Sequence, residues 1–260
     1  MSQRVARAVA FPLVLWAAST AFAANMSVPI PGETTQLVLV TSDGWDSTQG
    51  RLHTFERVDG GSGWTSAQPA IDVSLGRSGS AWGTGLHPAQ ADGPQKVEGD
   101  GRSPAGAFDI AQAFGYAPTT ETGLTYQAMQ VSSYCIDVVA SPLYNQIVDA
   151  REVGEAAVEG STEPMRLDLH GNGDVRYREG FVIRHNPGNT PRGGSCIFAH
   201  LWRKPGEPTA GCTAMAGPHM QHLLAWLRQD ARPVFVLLPE AEYQRLRTSW
   251  RLPTIEGKAR

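Results

Sequence analysis

The chain of 260 residues is 41% hydrophobic and 18% charged, with a formal net charge of -3. That is an ordinary globular composition, long enough for one large domain or two small ones, and its acidic balance disfavours a nucleic-acid partner. The 28 glycines and 18 prolines are scattered along the chain, which favours many short strands joined by turns over a helical bundle.

At the start of the chain, Arg4 and Arg7 precede an apolar run over residues 8–18, and Ala21-Phe22-Ala23 offers a small-x-small cleavage site. Residues 1–23 therefore read as a secretory signal peptide. The run is short, contains Pro12 and leads into polar Asn25, so stable membrane insertion is not expected. Cleavage would remove two arginines and no acids, taking the formal charge from -3 to -5. Export to the periplasm or cell envelope changes how the three cysteines are read. In an oxidising compartment an odd number points to one disulfide and one free thiol. The count leaves open which cysteine is free.

Residues 24–35 read as an extended lead-in, and residues 36–260 as a single domain with no linker signal. Val/Leu-rich or alternating stretches predict strands at 36–41, 52–58 and 71–75. The glycine- and proline-rich stretch 76–106 is expected to be a long irregular loop. Further strands are expected at 125–131, 134–139, 165–170, 181–185, 195–200 and 234–238. Pro218 followed by Met220, Leu223, Leu224 and Leu227 marks the start and apolar face of a helix, and a second short helix is expected over 240–248. The fold class expected from this pattern is mainly β with a few short helices.

The chemistry-bearing residues fall late in the chain. Gly194-Ser195-Cys196-Ile197-Phe198-Ala199-His200 reads as a buried strand ending on a histidine, followed by a polar loop and then Thr209-Ala210-Gly211-Cys212-Thr213. An imidazole close to a thiol can accept its proton and generate the nucleophilic thiolate, and a glycine just before the thiol lets a substrate approach the backbone. Two such residues twelve positions apart are by themselves only suggestive of catalysis.

This segment resembles the active-site signature of the L,D-transpeptidase (YkuD-type) family, a histidine followed at a distance by Ser/Thr-His-Gly-Cys, in a branch with the form Thr-Ala-Gly-Cys-Thr. Three further stretches carry the resemblance: residues 98–108 (Glu-Gly-Asp-Gly-Arg-Ser-Pro-Ala-Gly-Ala-Phe), Ser141-Pro142-Leu143-Tyr144-Asn145, and Val182-Ile183-Arg184-His185-Asn186. Together the matches cover most of residues 70–238. The resemblance implies a β-sandwich-like catalytic domain with its core at about residues 95–239. It further implies that Cys212 is the nucleophile, that His200 is the general base and acid, and that the Leu201 carbonyl orients the imidazole. The Gly211 and Cys212 N–H groups would line an oxyanion hole. Leu201 stands where the family often has Gly or Ser, Ala210 where it has His, and Ala214 where many members have Arg or Asn.

The activity so implied is acyl transfer on peptidoglycan stem peptides, with no cofactor and no metal. The same site would act as an L,D-carboxypeptidase if water were the acceptor. With Cys212 chemically employed, Cys135 and Cys196 are expected to form the disulfide. Arg166 and Arg184 are candidate partners for stem-peptide carboxylates, Thr209 is a further candidate substrate-binding residue, and Trp202 is a candidate to stack on a sugar ring of the glycan. Trp45, Trp64, Trp82 and Tyr116 are expected to pack in the core. Two other readings compete. One is a metallopeptidase built on Asp168, His170, Asp174 and His185, for which no His-Glu-x-x-His pattern exists. The other is a silent wall-binding scaffold, which Ala210 and Ala214 would suit.

Overall fold

The computed structural model describes residues 28–58, 61 and 63–255; the expected signal peptide lies outside the described residues. Thirteen strands are described: β1 (Gln36–Ser42), β2 (Gln49–Glu56), β3 (Thr65–Ser74), β4 (Ser80–Trp82), β5 (Ser103–Gly115), β6 (Tyr126–Ala128), β7 (Ser133–Cys135), β8 (Ile147–Asp149), β9 (Glu163–Pro164), β10 (Glu179–Ile183), β11 (Phe198–Leu201), β12 (Thr213–Met215) and β13 (Val234–Pro239). The helices are short: α1 (Ala150–Val153), α2 (Glu155–Val158), α3 (Leu167–His170), α4 (Gly217–Trp226) and α5 (Glu240–Leu246). The protein is thus mainly β with few helices. Among the described residues no helix is long and apolar enough to cross a membrane.

The main sheet runs β10-β11-β12-β3-β2-β1-β13-β5, and β5 pairs again with β10, so the ladder closes into a barrel. Two pairings are parallel, β1 with β13 and β11 with β12, and the other ladders of the ring are antiparallel. Strands β4 and β6 flank β5 in parallel, and a separate three-stranded sheet has the order β8-β7-β9. Strand β13 lies between β1 and β5 and all six of its residues are buried, which is why its sequence is a continuous apolar run with no alternation. In α4, Met220, Leu223 and Leu224 are buried on one face behind Pro218 in the first turn. Each such side chain contributes about 1.5–3 kcal/mol on burial. Trp82 is buried, Trp45 and Trp64 pack against the main core, and Tyr116 packs against a second cluster around Phe114 and Phe198.

Two expectations are corrected. Residues 165–170 do not form a strand: Met165 is buried, but Leu167–His170 is a helical turn in which the Gly171 N–H donates to the Leu167 carbonyl at 2.6 Å. The apparent alternation Met165-Leu167-Leu169 misleads because Leu169 is exposed, and a bidentate Arg166–Asp168 pair closes the turn locally. The stretch 76–106 is not all loop either. It contains β4 and the start of β5, the longest strand described at 13 residues. At Gly106, φ is +137° and an added Cβ would lie 1.9 Å from His87 Nε2, so the segment has the look of a turn while the chain there runs extended through a crowded core.

Candidate active site

The closing strands of the barrel bring the histidine and the thiol together. In the parallel β11–β12 ladder Ala199 lies opposite Thr213 and His200 opposite Ala214. Cys212, one residue before β12, therefore falls beside Phe198, whose backbone N–H donates to Cys212 Sγ at 3.3 Å. Side chains two positions apart on adjacent strands share a face. His200 and Cys212 accordingly open onto one pocket of about 350 Å³, with Thr209, Ala210, Gly211 and Trp202 also in its wall.

His200 is buried, and its Nδ1 lies 2.7 Å from the Leu201 carbonyl oxygen. A carbonyl can only accept, so Nδ1 carries the hydrogen and Nε2 is left as the basic nitrogen. Burial pushes the His200 imidazole down to about 4 and the Cys212 thiol up to about 12, so at neutral pH both groups are uncharged. The thiol is held from both sides, receiving the Phe198 N–H and pointing at the Cys196 carbonyl at 3.5 Å. Behind it, the Cys212 carbonyl accepts from Ser103 Oγ at 3.0 Å and from Thr209 Oγ1 at 2.6 Å. The Gly211 N–H donates to Thr209 Oγ1 at 3.1 Å, so an oxyanion drawing on that N–H would compete with the Thr209 hydroxyl.

Cys135 and Cys196 are bridged and Cys212 is the free cysteine, the pairing expected from the sequence. The three upstream stretches singled out in the sequence converge on the segment that carries Cys196. Glu98 Oε2 accepts from the hydroxyls of Tyr144 and Ser195. Asn145 Oδ1 accepts the Cys196 N–H at 3.0 Å, while its Nδ2 donates to the carbonyls of His185 and Asn186 at 3.1 Å each. Asn186 Nδ2 in turn donates to the Thr190 and Gly194 carbonyls. Of these residues Glu98 and Ser195 also line the pocket that holds His200 and Cys212, while Tyr144, Asn145 and Asn186 stand outside its wall.

Other expected residues lie elsewhere. Arg166 is paired with Asp168 and stacked over Tyr116, and Arg184 lines a different cavity with Asp109, Thr125 and Arg232; neither lines the Cys212 pocket. The residues considered for a metal are engaged separately: Asp168 with Arg166, Asp174 with Arg176, His170 Nε2 with the Val131 carbonyl and His185 Nε2 with the Gly193 carbonyl. Among the described residues no three His, Cys, Asp or Glu side chains are grouped to hold a metal ion.

Sequence reasoning misses Tyr177 and Glu163. The Tyr177 ring packs edge-on against His200, with centroids 5.2 Å apart, and its hydroxyl donates to Glu163 Oε1 at 2.5 Å. Both side chains line the pocket, but each sits in an unremarkable local sequence and neither carries a signal of its own. Comparison of the chain with protein-family models, with curated proteins and with solved structures finds no match.

Proposed function

We propose that the protein is an exported cysteine acyltransferase of the L,D-transpeptidase type, acting on the peptide stems of bacterial peptidoglycan. The observation that carries this reading is the hydrogen bond from His200 Nδ1 to the Leu201 carbonyl. It turns Nε2 into a base in the same pocket as the sole free cysteine of the chain. Under this reading the closed barrel stands where the family's sandwich-like catalytic domain is expected, and the β11–β12 ladder carries the reacting pair.

The chemistry runs through proton transfer from a neutral pair. Cys212 passes its proton to His200 Nε2 as Sγ attacks the carbonyl carbon of the third stem residue, and the resulting imidazolium returns the proton to the departing D-alanine nitrogen. The products of this half-reaction are free D-alanine and a Cys212 thioester. An incoming amine then attacks the thioester, loses its proton to His200, and leaves with the acyl group as Cys212 regains its hydrogen. The Cys212 N–H, and the Gly211 N–H if it swings from Thr209, would face the developing oxyanion. Water in place of the amine gives the carboxypeptidase outcome from the same thioester.

The test is release of D-alanine from a purified stem tetrapeptide by the mature protein, followed by mass spectrometry. Release that is abolished in Cys212→Ala supports the reading. A folded protein that releases none and whose Cys212 stays unmodified would favour the silent-scaffold alternative.

A further inference from the structure

The pocket around Cys212 contains a carboxylate, Glu163, that makes no ion pair among the described residues; the nearest cation acting on it, Arg176, is paired with Asp174. Glu163 lies on β9 directly opposite Cys135 of β7, and the Cys135–Cys196 bridge ties β7 to the segment whose Cys196 carbonyl faces Cys212 Sγ. Of the other charged groups of the pocket wall, Arg77 makes no ion pair among the described residues and the rest are engaged. Arg203 pairs with Glu207, Arg176 with Asp174 and Lys96 with Asp100; Glu98 is held by Tyr144 and Ser195, and Asp137 by Thr162. Glu163 receives a single donor, the Tyr177 hydroxyl, and among the described residues it makes no ion pair.

From this arrangement the geometry points to Glu163 as the ammonium-binding group of the pocket, taking a primary ammonium carried by the substrate. The proposal deepens the acyl-transfer reading and rests on it for the identity of that substrate. A carboxylate half-withdrawn from water with no ion-pair partner is costly, and a ligand ammonium that pairs with it recovers part of that cost. Burial accordingly pushes Glu163 up to about 7, with Asp137 adding to the rise and Tyr177 and Arg176 opposing it. The Glu163 charge also opposes ionisation of Cys212, so an ammonium seated on Glu163 lifts that opposition when substrate is present.

The ammonium has two possible carriers, a side chain of the acyl donor or the attacking amine of the acceptor. Two probes separate them: a stem tetrapeptide with lysine at its third position, and a D-amino acid methyl ester with a free α-amine. Each is titrated calorimetrically, beside its N-acetylated counterpart, into the Cys212→Ala protein and into Cys212→Ala with Glu163→Gln. The free-amine form of at least one probe is expected to bind about tenfold or more tightly than its acetylated form. The probe that shows the preference identifies the carrier. For the lysine peptide, whose side-chain ammonium stays charged throughout, the preference should grow between about pH 6 and pH 8 as Glu163 ionises, with Asp137, Arg176 and Tyr177 the neighbouring groups that set the midpoint; the ester is compared at about pH 6.5, where its own α-amine is still protonated. The preference should vanish in the Glu163→Gln protein.

Equal affinity of free and acetylated forms for both probes in the Glu163 protein, or a preference that survives Glu163→Gln, overturns the assignment. The first of these results needs no variant at Glu163, so it stands even if Glu163→Gln fails to fold. Carbapenem labelling of Cys212 in the unsubstituted protein reports on the acyl-transfer reading separately, because it requires no ammonium contact.

Discussion

His200 Nδ1 and the carbonyl oxygen of Leu201 lie 2.7 Å apart, a hydrogen bond between a side chain and the backbone of the next residue. It fixes the tautomer without a carboxylate partner, so the imidazole gains orientation but little added basicity, and burial holds it down at about 4. His200 is therefore a neutral base at neutral pH. His200→Ala should leave the fold intact and slow acylation of Cys212 by roughly 10²–10⁴-fold, the usual contribution of general base catalysis. Time-resolved mass spectrometry of the adduct checks this; an unchanged rate would remove His200 from the mechanism.

The resting state of the thiol is a second testable feature. With Cys212 pushed from 9.0 up to about 12 by burial, its thiolate fraction at neutral pH is about a thousandfold below that of an unperturbed thiol. Iodoacetamide should therefore alkylate Cys212 far more slowly than a small-molecule thiol at about pH 8, with the rate still rising tenfold per pH unit beyond pH 9. A plateau below about pH 7 would instead reveal a preformed thiolate–imidazolium pair.

Glu163 makes stability depend on pH with an unusual sign. Its folded value is raised from 4.5 to about 7, so the folded state binds more protons than the unfolded chain between those limits. Its contribution is fully present below about pH 4.5 and is lost as pH rises through about 7, by at most about 3 kcal/mol. Glu163→Gln, which keeps an acceptor for the Tyr177 hydroxyl, should melt higher than the parent at about pH 8 and show little difference at about pH 5. Thermal melts at the two pH values decide it; a lower melting temperature at the higher pH would contradict this account.

Ser103 Oγ joins two distant segments, accepting the Gly76 N–H at 2.9 Å and donating to the Cys212 carbonyl at 3.0 Å. Ser103→Ala would leave a buried donor and reduce the restraint on the turn that presents the thiol. The expected cost is about 1–3 kcal/mol of stability together with slower acylation. Denaturant unfolding and the acylation rate of the same variant test the two halves. Unchanged values for both would show that Thr209, which also donates to this carbonyl, is sufficient.

Much of the site was legible because its parts sit next to each other in sequence as well as in space: Cys196, His200, Thr209, Gly211 and Cys212 lie within one strand-loop-strand unit. The apolar run of β13 and the Pro218-led face of α4 were legible for the same local reason. Strand β5 was not, because Ser103, Pro104 and Gly106 are residues of turns by type, and what makes this stretch a strand is its pairing with β4 and β13, distant partners that no local pattern encodes. Arg184 was attractive as a guanidinium near the site in sequence, but it faces another cavity. Glu163 was invisible because its role depends on a disulfide and on Tyr177, contacts that no local pattern encodes.

The central claim, that Cys212 is a nucleophile served by His200, is tested most directly by intact-mass and peptide-mapping analysis of the purified mature protein after incubation with a carbapenem. L,D-transpeptidases as a family are acylated by these strained amides, and the expected result is one added carbapenem mass located on Cys212, absent in Cys212→Ser and slow to form in His200→Ala. A protein that is folded by circular dichroism, yet carries no adduct on Cys212 under these conditions, would contradict the claim.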